Sequence, residues 1–431
     1  MKNKINWRWN LFWLKDIISG GKVKQAYDDL NRNYKNVDTK EQQKKVNYLL
    51  KHAQKNTNYY KKYKNVKLQD FPIINKQIIK ENLDDILVQK YNIESLHKMS
   101  TSGSTGTPFT VYQNKEKRNR VIAEVLFYGK KANYIFGEKQ AYFRIWVSSI
   151  KKSTIKKKLQ NMYPIDISNL SDENINNIIR KIDKKRIVNV LSYASTLDKI
   201  SDYCKKNNVT IKGDYLKSII SSSEFLNKNT KENLKNIFNC NVYNRYSNEE
   251  NGILAQDMDL DENLYLNQAD YFFEFLKLET NEPAKEGELA RVVVTDLYNF
   301  AMPMIRYDTG DTAIYTTNSK GKITAIKSLQ GRQVDMIYNT KGEAISPHTI
   351  TNNMWGNEII KQFKFIQISS NTYKIILNID KKDGKTIEEQ LKKKFYKILG
   401  KDAKIDIDYV DEIPILKSGK LKYIENQMKK R

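Results

Sequence analysis

The stretch Thr101-Ser102-Gly103-Ser104-Thr105-Gly106-Thr107-Pro108 decides how the rest of the chain is read. Its glycines let the backbone bend tightly, its serines and threonines supply hydroxyl donors, and Pro108 stops the turn from continuing as regular structure. In such a loop backbone N–H groups converge on an anion with no side chain in the way, which is how glycine-rich nests hold phosphates. No Gly-Lys-Ser/Thr follows at the Walker spacing. By itself a Ser/Thr/Gly turn is commonly a solvated loop. Other residues must give it a meaning.

Three later stretches do so by content and order: Tyr246-Ser247-Asn248-Glu249-Glu250, Arg306-Tyr307-Asp308-Thr309-Gly310-Asp311 and Pro414-Ile415-Leu416-Lys417-Ser418-Gly419-Lys420. With the opening loop they resemble the adenylate-forming superfamily of acyl-CoA synthetases. Within it they are similar to the phenylacetate-CoA ligase branch that includes the CapK-type capsule-biosynthesis proteins. The resemblance spans most of the chain, and four motifs in one order are far more specific than any one alone.

The resemblance implies an AMP-forming acid-thiol ligase with ATP, Mg2+ and coenzyme A as cofactors. It activates a small carboxylic acid as acyl-AMP and passes the acyl group to an acceptor thiol, amine or hydroxyl, with coenzyme A the default. A carboxylate attacking the α-phosphorus of a polyanion needs positive charge and in-line positioning. Thr101, Ser102, Gly103, Ser104, Thr105, Gly106 and Thr107 would wrap the β- and γ-phosphates. Glu250 would hold Mg2+, a cation that prefers carboxylate oxygen, with Glu249 the neighbouring alternative. Asp311 has two acceptor oxygens for the ribose hydroxyls, Tyr246 would lie beside the adenine and α-phosphate, and Arg306 would anchor its segment or approach phosphate. Arg332, in the hinge-like Gly331-Arg332-Gln333-Val334-Asp335, is a further nucleotide contact, and Lys420 would bring a cation to the α-phosphate. The chain departs from the family pattern at Thr107, where lysine is common, at Ser247 in place of glycine, and at Val334 in place of a charged hinge residue.

A chain of 431 residues is long for one domain. The expected fold is α/β: a large domain over 1–331 with parallel sheets, crossover helices and an antiparallel segment, then a small mobile α+β domain over 332–431. Between Ser171 and Tyr246 helical and strand patterns alternate, as parallel strands with crossover helices require. Ser192-Tyr193-Ala194-Ser195 and Ser222-Ser223-Glu224-Phe225 follow two of these strands, where open α/β sheets bind ligands. From Glu286 onward strands separated by turns suggest antiparallel pairing. Ser171 is an expected helix cap, and Thr39 with Gln42 an expected capping box. His52 is assigned no chemistry.

The formal net charge of +25 points to an anionic partner. The rival to a ligase is a non-catalytic basic protein that keeps the fold and binds nucleic acid or an anionic glycan; with four motifs in order, no nucleic acid is the expectation. Cys204 and Cys240 have no companions at metal spacing, so a zinc site and a disulfide framework are not expected. Absence of any apolar run of membrane length suggests a cytoplasmic protein. The segment 1–18, with Trp7, Trp9, Leu11, Phe12, Trp13, Leu14, Ile17 and Ile18 among basic residues, either packs back as an arm or makes peripheral contact with an anionic membrane on its inner surface. Packing is the expectation.

Overall fold

A computed structural model describes residues 6–64, 66–101, 109–144, 154–167, 169–211, 213–222, 226, 228–258, 263–332, 337–342, 344–345, 349–350, 353–354, 359–379, 384–414 and 422–428. The chain forms two compact units, residues 1–309 with 313–328, and residues 310–312 with 329–431.

Helices α1 (Trp7–Ile18), α2 (Lys22–Asn33) and α3 (Thr39–Asn56) open the first unit, followed by the short α4 (Lys76–Glu81) and α5 (Leu83–Ile86). The inner face of α1 packs as expected for an arm: Trp9 and Trp13 meet edge to face at 5.2 Å, and Trp13 meets Tyr27 of α2 at 5.4 Å. Asp16 of α1 then caps α2, accepting from the Val23 and Lys24 N–H groups at 3.1 and 2.8 Å. Gly21, at the N-cap of α2, has no side chain to do this. The expected Thr39/Gln42 capping box is corrected. Asp38 caps α3 by accepting from Lys40 and Glu41 N–H, a position where its charge also suits the helix dipole. Gln42 turns inward instead and donates to the Gln268 and Tyr271 carbonyls.

Strands β1 (His97–Thr101) and β2 (Phe109–Gln113) pair antiparallel, with Thr101 opposite Phe109, so residues 102–108 join their ends. After α6 (Lys115–Lys131) come β3 (Gln140–Arg144), α7 (Thr154–Gln160), β4 (Met162–Asp166), α8 (Asp172–Lys185), β5 (Asn189–Tyr193), α9 (Ala194–Lys206), β6 (Ser218–Ser222), α10 (Lys228–Phe238) and β7 (Asn241–Asn248). These five strands run parallel in the order β7-β6-β5-β3-β4. The sequence explains one crossover directly. Ser171 caps α8, and Ile175, Ile178, Ile179 and Ile182 recur on one helical face and are all buried. Each contributes about 1.5–3 kcal/mol relative to exposure. Cys204 is buried in the same core, on α9.

Beyond β7 the sheet continues with β8 (Gly252–Asp257), β9 (Leu264–Leu266), β10 (Tyr271–Leu276), β11 (Leu289–Asp296), β12 (Tyr307–Thr317) and β13 (Ile323–Arg332). The eleven-stranded order is β10-β11-β12-β13-β9-β8-β7-β6-β5-β3-β4. Pairing turns antiparallel at β7–β8, β8–β9, β9–β13 and β10–β11, so the antiparallel part begins at β8, earlier in the chain than the strands after Glu286 from which it was expected.

In the second unit β14 (Ile337–Tyr338) pairs with β15 (Ala344–Ile345). β16 (Ile360–Gln367) and β17 (Thr372–Ile379) form a hairpin, and α11 (Gly384–Leu399) leads to β18 (Lys404–Tyr409), parallel to β17. β19 (Ile424–Asn426) lies parallel to β16. Phe363, Phe365, Ile375 and Leu377 of the hairpin and Leu391, Phe395 and Leu399 of α11 share one buried core. This is the small α+β unit that the sequence pattern indicated.

Candidate functional site

Strand β7 carries Tyr246 toward its carboxyl end, and a tight turn reverses the chain into β8. The turn is built by its own side chains. The Asn248 Oδ1 accepts from the Asn251 N–H at 2.8 Å. Gly252 takes φ +126°, and a Cβ there would collide with the Glu124 Oε2 and the Tyr271 hydroxyl. Both its conformation and its surroundings therefore demand glycine. A register shift between Tyr246 and Ser247 twists this end of the pair.

The turn sends its two carboxylates to different places. Glu249 is 46% exposed, with its Oε1 3.7 Å from the Arg144 guanidinium at the end of β3. Glu250 is buried. Its Oε1 accepts from the Tyr307 hydroxyl at 2.8 Å and lies 2.9 Å from the Lys76 ammonium, while its carbonyl accepts from the Gln113 Nε2 at 3.3 Å. Tyr246 is also buried, and its hydroxyl donates to the Thr309 Oγ1 at 3.2 Å, which donates to the Val292 carbonyl. Motifs some sixty positions apart in sequence are thus joined twice, by Tyr246 to Thr309 and by Glu250 to Tyr307.

Arg306 holds the second motif in place. Its backbone has φ +50°, a left-handed conformation unusual for a non-glycine residue. The Arg306 N–H donates to the Thr295 Oγ1, its carbonyl accepts from the Ile74 N–H, and its guanidinium pairs with Glu274 and donates to the Gln69 and Phe71 carbonyls. Every arm of the side chain is used inside the fold, so of the two expected roles the geometry supports the anchor. Arg291 pairs with Asp308 at 2.8 Å on the same segment. Asp311 is half-buried on β12, next to Gly310 at φ +78°.

Lys76 was missed by sequence reasoning. It starts α4 behind the cap Asn75, where the helix dipole disfavours a cation, and that placement was the available signal. The ammonium that reaches Glu250 also lies 5.6 Å from the centre of the Phe109 ring. Phe109 is the first residue after the glycine loop, so the loop end of the β1–β2 hairpin and the Glu250 carboxylate meet at this lysine.

Around the turn, several deeply buried polar atoms have no hydrogen-bond partner among the described residues: Gln113 Oε1, Asn114 Oδ1, Asn248 Nδ2, and both side-chain polar atoms of Asn251. Orphaned buried groups are rare and mark places where water, an ion or a ligand completes the bonding. Among the described residues no three His, Cys, Asp or Glu gather into a metal cage. One carboxylate beside orphaned amides fits Mg2+, which is commonly held by one or two carboxylates together with substrate phosphates and water.

Beneath the turn lies a buried polar clamp. The Tyr271 oxygen is 2.7 Å from the Asn251 carbonyl, 2.9 Å from the Glu124 Oε1 and 2.8 Å from the Lys117 ammonium. The Glu124 Oε2 accepts from the Ile253 N–H. Burial pushes the Glu124 carboxyl well above its usual range, against the pull of Lys117 and with Asp270 adding to the rise. Lys117 donates to the phenol oxygen, and the phenol hydroxyl has the Asn251 carbonyl and the Glu124 Oε1 as its acceptors. Lys117 is also 2.7 Å from the Asp296 Oδ2, both fully buried.

Of the remaining expected residues, Thr101 ends β1 and Arg332 ends β13, with side chains outside the described set, and residues 102–108, the hinge 333–336 and Lys420 fall outside it altogether. Ser192 and Ser195 are buried, and Ser222 ends β6, with residues 223–225 also outside the described set.

Residues 337–427 match the CapK C-terminal domain family. The chain is 25% identical over 405 residues to Protein CapK of Staphylococcus aureus, covering 89% of this chain and 87% of that protein. Its fold is similar to that of 2-hydroxyisobutyryl-CoA ligase in the postadenylation state, with TM-score 0.71 and 12% identity over 89% of each chain. A benzoate CoA ligase from Burkholderia xenovorans is similar at TM-score 0.57 and 12% identity, covering 78% of this chain and 69% of that one. The chain therefore has the acyl-CoA ligase fold of the adenylate-forming enzymes, with a CapK C-terminal domain at its carboxyl end.

Proposed function

We propose that this protein is an ATP-dependent ligase that activates a carboxylic acid as acyl-AMP and transfers the acyl group to a thiol, coenzyme A first, in surface-polysaccharide biosynthesis. The observation that carries this reading is the buried Glu250 carboxylate, held between Tyr307 and Lys76, with Lys76 also beside Phe109 at the loop end of the glycine hairpin. In the first half-reaction a carboxylate oxygen of the acid attacks the α-phosphorus of ATP and pyrophosphate leaves. In the second, the acceptor sulfur attacks the acyl carbonyl, loses its proton, and AMP leaves.

Each residue has a part in this scheme. The loop Thr101–Thr107 and Lys76 meet the β- and γ-phosphates, and Lys76 supplies the cation that Thr107 lacks. Glu250 would hold Mg2+, which when bound neutralises phosphate charge. Tyr246 borders the nucleotide, Asp311 accepts from the ribose hydroxyls, Arg332 contacts the nucleotide from the hinge, and Lys420 stabilises charge at the α-phosphate. Coenzyme A use and the capsule role rest on the similarity to coenzyme A ligases and to Protein CapK. The two-domain division at 331/332 and a cytoplasmic location belong to the same proposal. A non-catalytic basic binder accounts for the charge of +25 but not for a buried carboxylate among orphaned amides.

ATP–pyrophosphate exchange across a panel of aliphatic, hydroxy and aromatic acids tests the proposal. Exchange that depends on Mg2+ and on one class of acid is expected. Absence of exchange with every acid, together with no ATP binding by calorimetry, would sink it.

A further inference from the structure

Helix α1 carries large apolar side chains on two opposite faces. Trp9, Phe12 and Trp13 pack inward, and Asp16 on that side caps α2. On the outer side Trp7, Leu11, Leu14 and Ile18 are 52, 49, 55 and 78% exposed, with Ile17 beside them at 64%. The four recur at i, i+4, i+7 and i+11 and fall within about 60° of one another on a helical wheel. Five large apolar side chains crowded onto a twelve-residue helix form a contiguous exposed patch, and such patches mark interaction surfaces. Among the described residues the fold does not use this face, since the core contacts and the cap come from the other one.

Charge selects the occupant. The chain carries a formal +25. Lys15 flanks the stripe, exposed, the Arg8 guanidinium lies 4.4 Å over the Trp7 ring, and Lys22 is exposed at the start of α2. The sequence adds Lys2 and Lys4 just ahead of the helix. A second copy would bring the same positive charge and be repelled, and five side chains cover less than the roughly 800 Å² per partner of a stable dimer. A bilayer containing anionic lipid accepts both the apolar stripe and the cations around it. Tryptophan and arginine at one end of the helix suit the headgroup level. Twelve residues span about 18 Å, enough to lie along the interface, and among the described residues no helix is long and apolar enough to cross a membrane.

We propose that the outer face of α1 seats the protein on an anionic membrane surface, with Trp7, Leu11, Leu14, Ile17 and Ile18 entering the headgroup boundary and Lys15 and Arg8 meeting lipid phosphates. The inward packing of α1 and this contact are compatible, because they use opposite faces. The inference is independent of the chemistry proposed above.

Flotation of the full chain with vesicles of phosphatidylcholine mixed with phosphatidylglycerol, against phosphatidylcholine alone, tests it. Binding to the mixed vesicles only is expected. The triple variant Leu11→Ser, Leu14→Ser, Ile18→Ser should partition on the order of 10²-fold or more less strongly, while keeping its melting temperature. Lys15→Gln should weaken binding about fivefold, the scale for one basic residue at such a surface. Quenching of Trp7 fluorescence by brominated phosphatidylglycerol, read as the difference between the unaltered chain and Trp7→Phe, reports the contact without relying on the triple variant. Three results would each overturn the proposal: no flotation with the mixed vesicles, no Trp7 quenching, or a patch whose serine variant binds vesicles normally but turns a dimer into a monomer.

Discussion

Replacing Tyr307 by phenylalanine isolates the contribution of one hydroxyl to the candidate metal site. The ring stays in its fully buried position, and only the donor 2.8 Å from the Glu250 Oε1 is lost. A hydrogen bond to a charged acceptor contributes about 1.5–3 kcal/mol, which at about 1.4 kcal/mol per decade corresponds to roughly 10- to 100-fold in an affinity that depends on that carboxylate. Lys76 remains, so Glu250 keeps its cation and the fold should survive. The assay is calorimetric titration with ATP at saturating Mg2+ and again in chelator. Tyr307→Phe should lose 10- to 100-fold of the Mg2+-dependent affinity and leave the metal-free affinity within about twofold. Equal losses with and without Mg2+, or a lowered melting temperature with no loss of affinity, would refute the assignment of Glu250 as the metal ligand.

Lys117→Met strands the buried Asp296 carboxylate and should cost about 3–5 kcal/mol; urea denaturation should show much of this restored in Lys117→Met/Asp296→Asn, whose Asn can still accept from the Tyr298 N–H. Asp311→Ala should weaken ATP binding by about 1.5–3 kcal/mol for each ribose hydrogen bond lost, measured by calorimetry on the folded variant. Glu124, with its folded pKa raised above the ordinary 4.5, contributes stability that is complete below pH 4.5 and is lost as pH rises through the folded value. Melting curves should therefore show Glu124→Gln gaining on the unaltered protein as pH climbs from 4.5. Lys420→Ala should slow adenylate formation by about 10²-fold or more, while transfer from a supplied acyl-adenylate stays near normal and Lys422→Ala leaves both unchanged.

Much of the fold could be read from local pattern, because α8 and the parallel strands announce themselves through period and apolar run. The four isoleucines of α8 and the alternation from Ser171 to Tyr246 needed no tertiary information. The cap of α3 was misread because Thr39 and Asp38 are both good caps, and the carboxylate won by accepting two N–H groups while Gln42 was drawn to Gln268 and Tyr271. The site was legible as motifs but not as contacts. Glu250 and Tyr307 stand apart in sequence, and only the sheet brings them to 2.8 Å. Lys76 lies earlier still, and its one signal, a cation at the start of a helix, is faint in a lysine-rich stretch. The clamp was also hidden. Lys117, Arg120 and Glu124 look like the solvated face of a helix, yet all three are buried.

That burial bears on how the acidic turn works. Desolvating Lys117, Glu124 and Asp296 is costly, and a hydrophobic cluster of similar volume would often be as stable or more so. What such a cluster cannot do is fix a carbonyl and an N–H on opposite sides of a glycine. Tyr271 holds the Asn251 carbonyl and Glu124 holds the Ile253 N–H, so the peptide groups flanking Gly252 are both pinned from below. Glu250 is one residue before this pinned segment, and its own carbonyl is held by Gln113. A carboxylate expected to meet a metal and a triphosphate must keep its place without them, and supporting hydrogen bonds of this kind are what give a site that precision. If the clamp has this role, Tyr271→Phe should raise the Mg2+ concentration needed for half-maximal pyrophosphate exchange more than it lowers the maximal rate. A purely structural clamp would change stability and leave that concentration where it was.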